Sequence, residues 1–152
     1  MWAPVGLQPK ILFSPNNQKL GYFGAVNPST GELFTQIAYP FNSETCEQFF
    51  HSFLESKRKD GRKIVLVLDN ASWHKRAAKN LMEEFPETFE ALYLPPYSPD
   101  LNPIERVWRI TRRKCTHNKH FESLDFLGDV LGLFFATHSM SNNDFKSLCA
   151  IN

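Results

Sequence analysis

Apolar positions in this chain switch between two rhythms. Leu20 to Val26 (LGYFGAV) and Glu32 to Tyr39 (ELFTQIAY) are short aromatic and β-branched runs separated by Asn27-Pro28-Ser29-Thr30-Gly31, which predicts a β-hairpin with a turn of about five residues. Cys46, Phe49, Phe50, Phe53 and Leu54 then recur at spacings of three and four, so a helix is expected from a cap at Ser43 to about Lys59, with that face in the core. A charged stop, Lys57 to Gly61, precedes the unbroken aliphatic run Ile64-Val65-Leu66-Val67-Leu68. Such a run between turn signals predicts a strand buried on both faces. Ala77, Ala78, Leu81, Met82 and Phe85 return to helical spacing over Lys75 to Phe85, and Pro86 ends that element. Phe89 to Leu94 predicts a short strand closed by Pro95-Pro96 and followed by the turn-rich loop YSPDLNP. Pro103 is pre-organised for a first helical turn. The helix it opens turns Ile104, Val107, Trp108 and Cys115 inward, and a last helix is expected over Ser123 to Thr137. Strands interleaved with helices describe a mixed α/β domain.

Composition narrows the class without naming a function. A chain of 152 residues fits one domain, and 42% hydrophobic and 14% aromatic content supplies enough apolar surface to offset the entropy of ordering. Net charge is only +1, so a nucleic-acid role has to rest on a local basic surface. The three cysteines, Cys46, Cys115 and Cys149, are odd in number and widely spaced, which argues against a disulfide framework and fits a reducing cytoplasm. The start, MWAPVGLQPKIL, lacks a basic stretch leading into a long apolar one, and Asp125 and Asp129 interrupt the apolar segment Leu124 to Phe135. Neither secretion nor membrane insertion is expected.

Two acids sit where chemistry collects. Asp69 closes the aliphatic strand, and ligands of open α/β sheets gather in the crevice at carboxyl strand ends. Glu105 opens the helix after the proline-rich loop, with 35 residues between the two, so it can return to the same crevice. Magnesium takes one or two carboxylates plus phosphate oxygens and water, and such a pair suits metal-assisted phosphodiester chemistry. Spacing alone leaves blander readings open. A strand-end Asp can cap a turn, and a first-turn Glu answers the helix dipole or pairs with Arg109. His74, five residues past Asp69, either touches a phosphate or orients a water, or is a polar loop residue capping the next helix. Asn70 and Asn102 suit tight turns around the two acids. Arg106, Arg109, Arg112, Arg113, Lys114 and Lys119 place six positive charges between 106 and 120 with no acid among them. That density suits DNA phosphates, the alternative being a solvated helix face. Cys115, His117 and His120 have a spacing that zinc would accept but lack a fourth ligand nearby, and Phe49, Phe50 and Phe53 are read as core.

VLVLDNASWH, Val65 to His74, and YLPPYSPDLNPIERVW, Tyr93 to Trp108, resemble in order and separation the second and third catalytic motifs of the DDE superfamily of mariner-like and insertion-sequence transposases. Trp2-Ala3-Pro4-Val5-Gly6 resembles the short tryptophan-proline-glycine stretch after that family's first catalytic strand, so the likeness covers residues 1–121, with 122–152 as a helical extension of the same domain. The resemblance implies a ribonuclease-H-like mixed sheet flanked by helices, two divalent ions (magnesium or manganese), and DNA cleavage and joining at transposon ends. It makes Asp69 the second metal-binding catalytic acid and Glu105 the third, and the family motif often has a histidine at the place of His74, which joins them as a catalytic candidate. Arg106, Arg109, Arg112, Arg113 and Lys114 become the DNA-binding set, with transposon-end and target DNA as partners in a bacterial, nucleoid-associated setting.

One departure qualifies this reading. The family's first catalytic aspartate lies on a central strand before the tryptophan-proline-glycine stretch, and here no aspartate precedes Asp60, which does not match that motif. The expectation is an amino-terminally truncated domain that lacks its first strand and does not cut DNA unaided. An upstream polypeptide or a homodimer partner would then complete it. The alternative is a non-catalytic DNA-binding remnant of a truncated or frameshifted transposase frame.

Overall fold

A computed structural model describes residues 11–12, 19–57, 61–140 and 143–149. Trp2 to Gly6 and Asp60, named above for their bearing on the first motif, lie outside the described residues. The chain divides into two compact units, one from Pro40–Asn102 and the other from Leu7–Tyr39 with Pro103–Asn152.

The first unit is a helix followed by a strand-helix-strand crossover: α1 (Ser43–Lys57), β5 (Ile64–Leu68), α2 (Ser72–Glu84) and β6 (Phe89–Tyr93). Four strands of the other unit precede them in the chain. The cap of α1 is Asn42 rather than the expected Ser43: its Oδ1 accepts from Thr45 N–H at 2.9 Å while Thr45 Oγ1 accepts from Asn42 N–H at 3.2 Å. This reciprocal pair satisfies two orphan amide donors, and Ser43 becomes the first helical residue. Cys46, Phe49, Phe50 and Leu54 are buried along one face, as the spacing predicts, while Phe53 is only partly covered. Asn80 of α2 donates to Glu47 at 2.8 Å, and His51 lies 3.5 Å from Glu84. These polar pairs flank the helix contact.

The ladder of β5 with β6 is parallel and in register from Ile64 opposite Phe89 to Leu68 opposite Tyr93. One face is covered: the Phe50 ring of α1 lies 6.0 Å from the Phe89 ring, and Leu68, Phe89 and Ala91 are buried. The other face is not. Val65 and Val67 remain 48% and 50% exposed, which corrects the expectation of a strand buried on both sides. An unbroken aliphatic run is equally compatible with one covered face, because the side chains still alternate. Among the described residues β5 pairs with β6 alone.

The second unit joins two antiparallel ladders to three helices. β1 (Ile11–Leu12) pairs with β2 (Lys19–Leu20), and β3 (Tyr22–Val26) pairs with β4 (Leu33–Ile37). The expected hairpin turn is present: Gly31 has φ of 73°, and its N–H donates to Asn27 O at 2.8 Å. A left-handed residue there suits glycine, which has no Cβ to clash. α3 (Pro103–Thr111) continues into a π-helical turn, Arg112–Thr116, closed by His117 N–H donating to Arg112 O at 2.8 Å. α4 (Leu124–Thr137) is capped by Ser123, whose Oγ accepts from Phe126 N–H at 3.1 Å, and a short α5 (Asn143–Cys149) follows. The core gathers Tyr22, Leu33, Val107, Trp108, Leu127, Leu131, Phe135 and Phe145. Tyr22 and Trp108 both meet Phe135 edge to face, at centroid distances of 4.9 and 6.0 Å. Such pairs add to the area they bury.

Candidate functional site

Asp69 follows the last residue of β5, at the carboxyl end of the parallel ladder, where backbone pairing stops and the chain turns toward α2. Two links hold that end to β6: Leu94 N–H donates to Leu68 O at 2.9 Å, and the Asn70 side-chain amide donates to Leu94 O at 2.6 Å. Asn70 thus ties the loop after β5 to the start of the proline-rich loop after β6. That loop keeps Tyr97 at φ of 59° and 93% exposed.

His74 is not in a loop. α2 begins at Ser72, three residues before the expected start, so His74 falls in its first turn and is buried, with Nδ1 2.5 Å from Asp69 Oδ1. The same Oδ1 accepts from Ala71 N–H at 3.0 Å. Burial pushes the Asp69 carboxyl upward, but the hydrogen bond and charge of His74 and the Ala71 amide outweigh it, and the group sits below the usual 3.8. At neutral pH the carboxylate is therefore ionised and accepts only, so the proton between the two residues belongs to Nδ1. Cys46, which the sequence marks only as an unpaired thiol, belongs to the same neighbourhood. Its burial, with the negative charges of Asp69 and Glu47, pushes it up to about 12, so it is a neutral wall of the site and no nucleophile.

In the second unit Glu105 occupies the first turn of α3 and is partly buried, where the helix dipole favours a negative charge. Val107 and Trp108, immediately after it, are anchored in the core, which fixes the face of α3 that carries Glu105. Arg109, Arg112, Arg113 and Lys114 are exposed, and their side chains make no ion pair with a described residue. Arg106 is partly covered. The π turn presents Arg112, Arg113 and Lys114 in succession between buried Thr111 and buried Cys115. Cys115 thus faces the core while His117 and His120 are exposed. Among the described residues no helix is long and apolar enough to cross a membrane.

The arrangement has known relatives. Residues 1–127 match the family model described as DDE superfamily endonuclease. The chain is 32% identical over 103 residues to the uncharacterized protein y4pE/y4sA of Sinorhizobium fredii, which covers 68% of this chain and 73% of that one. It is 28% identical over 126 residues to the uncharacterized 39 kDa protein of insertion element IS630 from Shigella sonnei, over 81% of this chain and 36% of that one. Its fold is similar to the Mos1 strand transfer complex at a TM-score of 0.67, with 19% identity, over 98% of this chain and 44% of the other. It is equally similar to the Mos1 mariner paired end complex with Mn, at 0.67 and 17% identity over 98% and 46%. The chain thus spans about a third of the IS630 protein and less than half of each Mos1 chain. The short sheets and flanking helices are those of a ribonuclease-H-like α/β fold, as the sequence led us to expect. With most of its length matching one family model, the chain belongs to the DDE superfamily of endonucleases and has the fold of a DDE-type transposase domain.

Proposed function

We propose that this chain supplies two of the metal-binding acids and part of the DNA-contacting surface of a transposase site that cleaves and joins DNA strands. The observation that carries the reading is Asp69: a strand-end carboxylate, held ionised, with Oδ1 taken by two donors and Oδ2 without a partner among the described residues. An oxygen of that kind is the hard donor that magnesium or manganese takes. Glu105, on a helix whose register is pinned by Val107 and Trp108, is the second ligand we assign. Asp69 and Glu105 would hold the divalent ions, which would supply activation of water or of a DNA 3′ hydroxyl toward phosphorus and stabilisation of the attacking and leaving oxygens. The chain's own contribution is to present fixed carboxylates and to hold the phosphate backbone on Arg106, Arg109, Arg112, Arg113 and Lys114. The manganese of the Mos1 mariner paired end complex supports the choice of ion, and the strand transfer and paired end complexes of Mos1 support DNA as partner.

The catalytic region is assigned to residues 1–121, with 122–152 as its helical extension. Iron-directed oxidative cleavage tests the shared site. Fe²⁺ replacing magnesium, with ascorbate and peroxide, should cut the backbone near both Asp69 and Glu105, and Asp69→Asn should abolish both cuts. Cleavage near one acid alone would overturn a common cation site. Magnesium-dependent nicking of a transposon-end duplex by the 152 residues, lost in Asp69→Ala, would mean that the acids of this chain, or of a second copy, already complete the site. DNA binding with no metal binding at all would favour the remnant reading.

A further inference from the structure

We infer that His74 is a positioning residue whose task is to fix which oxygen of Asp69 meets the metal, rather than a group that itself touches phosphate or water. The inference rests on the reading of Asp69 as a metal ligand.

A carboxylate at a strand end has two equivalent oxygens and two rotatable bonds, so an unrestrained one samples several presentations to a cation. Here the equivalence is broken. Oδ1 accepts from Ala71 N–H at 3.0 Å and from His74 Nδ1 at 2.5 Å, while Oδ2 has no partner among the described residues. The amide donor alone would leave the plane of the carboxylate free to swing about one bond. The second donor, from a different element, fixes that plane.

His74 is itself well held. It is 7% exposed, rises from the first turn of α2, and lies with ring centroids 6.5 Å from Phe50 and 6.1 Å from Trp73. One turn further on, the same face of α2 buries Ala77, Ala78 and Leu81, so the imidazole cannot shift without disturbing the helix contact. A histidine so enclosed is poorly placed to reach a phosphate in a groove. It is well placed to act through Asp69. Hydrogen bonds to a ligating carboxylate orient the ligand, and their loss typically weakens metal affinity about ten- to a hundredfold.

The test uses the 152-residue chain with Mn²⁺ alone, the free ion being followed by electron paramagnetic resonance, and three variants that keep the side chain polar. His74→Asn holds an amide N–H near the place of Nδ1, whereas His74→Gln moves the donor toward the place of Nε2. Asp69→Asn removes the ligand. Thermal unfolding of each variant reports folding separately, and the low-field proton signal of an imidazole N–H bound to a carboxylate reports the Asp69 contact without metal. We expect that signal in the unaltered chain and not in Asp69→Asn, Mn²⁺ binding about ten- to a hundredfold weaker in His74→Gln, and recovery to within a few-fold in His74→Asn. Equal affinity in His74→Gln and the unaltered chain, with binding lost in Asp69→Asn, would overturn the role of His74 while leaving Asp69 a ligand. Binding untouched by Asp69→Asn, or absent altogether, would instead overturn the ligand assignment and the inference with it. A missing low-field signal in the unaltered chain overturns the inference on its own.

Discussion

Gly24, in the middle of β3, is where the second unit should be most sensitive to a single added methyl. A Cβ built there would lie 2.6 Å from Trp108 Cη2, 2.7 Å from Cζ2 and 3.4 Å from Ile104 Cδ1. Carbon atoms at rest sit about 3.5–4.0 Å apart, so the first two distances are nearly an ångström too short. The indole cannot retreat cheaply, since Trp108 is 1% exposed and packs edge to face on Phe135. Overpacking a filled core costs about 1–3 kcal/mol, while losing glycine's freedom in the unfolded chain returns about 0.4–1 kcal/mol. Gly24→Ala should therefore destabilise by about 1–2 kcal/mol net, which for a chain of this size lowers the melting temperature by roughly 2–8 °C. Trp108→Phe removes the two clashing ring atoms and a buried indole N–H with no partner among the described residues. In that background Gly24→Ala should cost much less, and the cycle should show a coupling of about 1 kcal/mol or more. Circular dichroism melts of the four proteins decide it. Additive effects, or a neutral Gly24→Ala, would mean that β3 and α3 do not approach so closely.

Four other outcomes follow from the same structure. Because the Asp69 carboxyl is held below its usual range, its contribution is full above about pH 4, the unfolded value, and is lost as pH falls through the lower folded one. In metal-free buffer, melts of Asp69→Asn should thus fall below the unaltered chain near neutrality and converge with it in acid; a constant gap would refute the assignment. Cys46, buried and pushed up to about 12, should resist iodoacetamide at pH 8 until urea unfolds the chain, and native labelling at the rate of a free thiol would contradict its burial. Tyr97→Gly should raise stability by about 0.5–1 kcal/mol, since it relieves a left-handed backbone at an exposed position, and a fall in the denaturant midpoint would count against that conformation. Replacing Arg109, Arg112, Arg113 and Lys114 with glutamine should weaken DNA binding whatever the sequence and flatten the slope of log affinity against log salt by about 0.9 for each phosphate no longer neutralised; an unchanged titration would leave these residues a solvated face.

Periodicity carries most of the fold. The hairpin, α1, α3 and α4 are each written in runs that alternate or recur at three and four, and β5 in an unbroken aliphatic run between turn signals. Where structure and pattern part, the local signal is ambiguous for a physical reason. α2 starts earlier than its apolar spacing indicates because Ala71 precedes it with no side-chain cap, so Ser72 and Trp73 offer no boundary to read. The same ambiguity hides His74, whose distance of five residues from Asp69 looks like loop spacing until the helix is seen to begin at Ser72. Asn42 and Ser43 are equally good caps by residue type, and only the bond to Thr45 separates them. The aliphatic run of β5 does not report that one face stays open, since Ile, Val and Leu serve covered and uncovered positions alike. α5 has seven residues, too short for a periodic signal to emerge.

The acids differ in how far sequence alone can take them, and the difference follows from what holds each in place. Glu105 takes its place from its neighbours in the chain: Pro103 starts the helix, and Val107 and Trp108 bury the helix's other side, so the face of α3 that carries it is implicit in a few consecutive residues. Asp69 depends on residues from separate elements. Its strand end is tied to Leu94 by Asn70, one oxygen is claimed by Ala71 and His74, and Cys46 of α1 feels its charge from a third element. Ala71 and His74 lie in the same motif as Asp69, but no spacing within that motif encodes the approach of Leu94 and Cys46, which exists only once α1, β5, α2 and β6 have packed. A carboxylate set by local chain geometry should tolerate changes elsewhere in its unit. One set by convergence should be disturbed by substitutions on any of the elements that surround it, including residues such as Asn70 that tie down the strand end through Leu94.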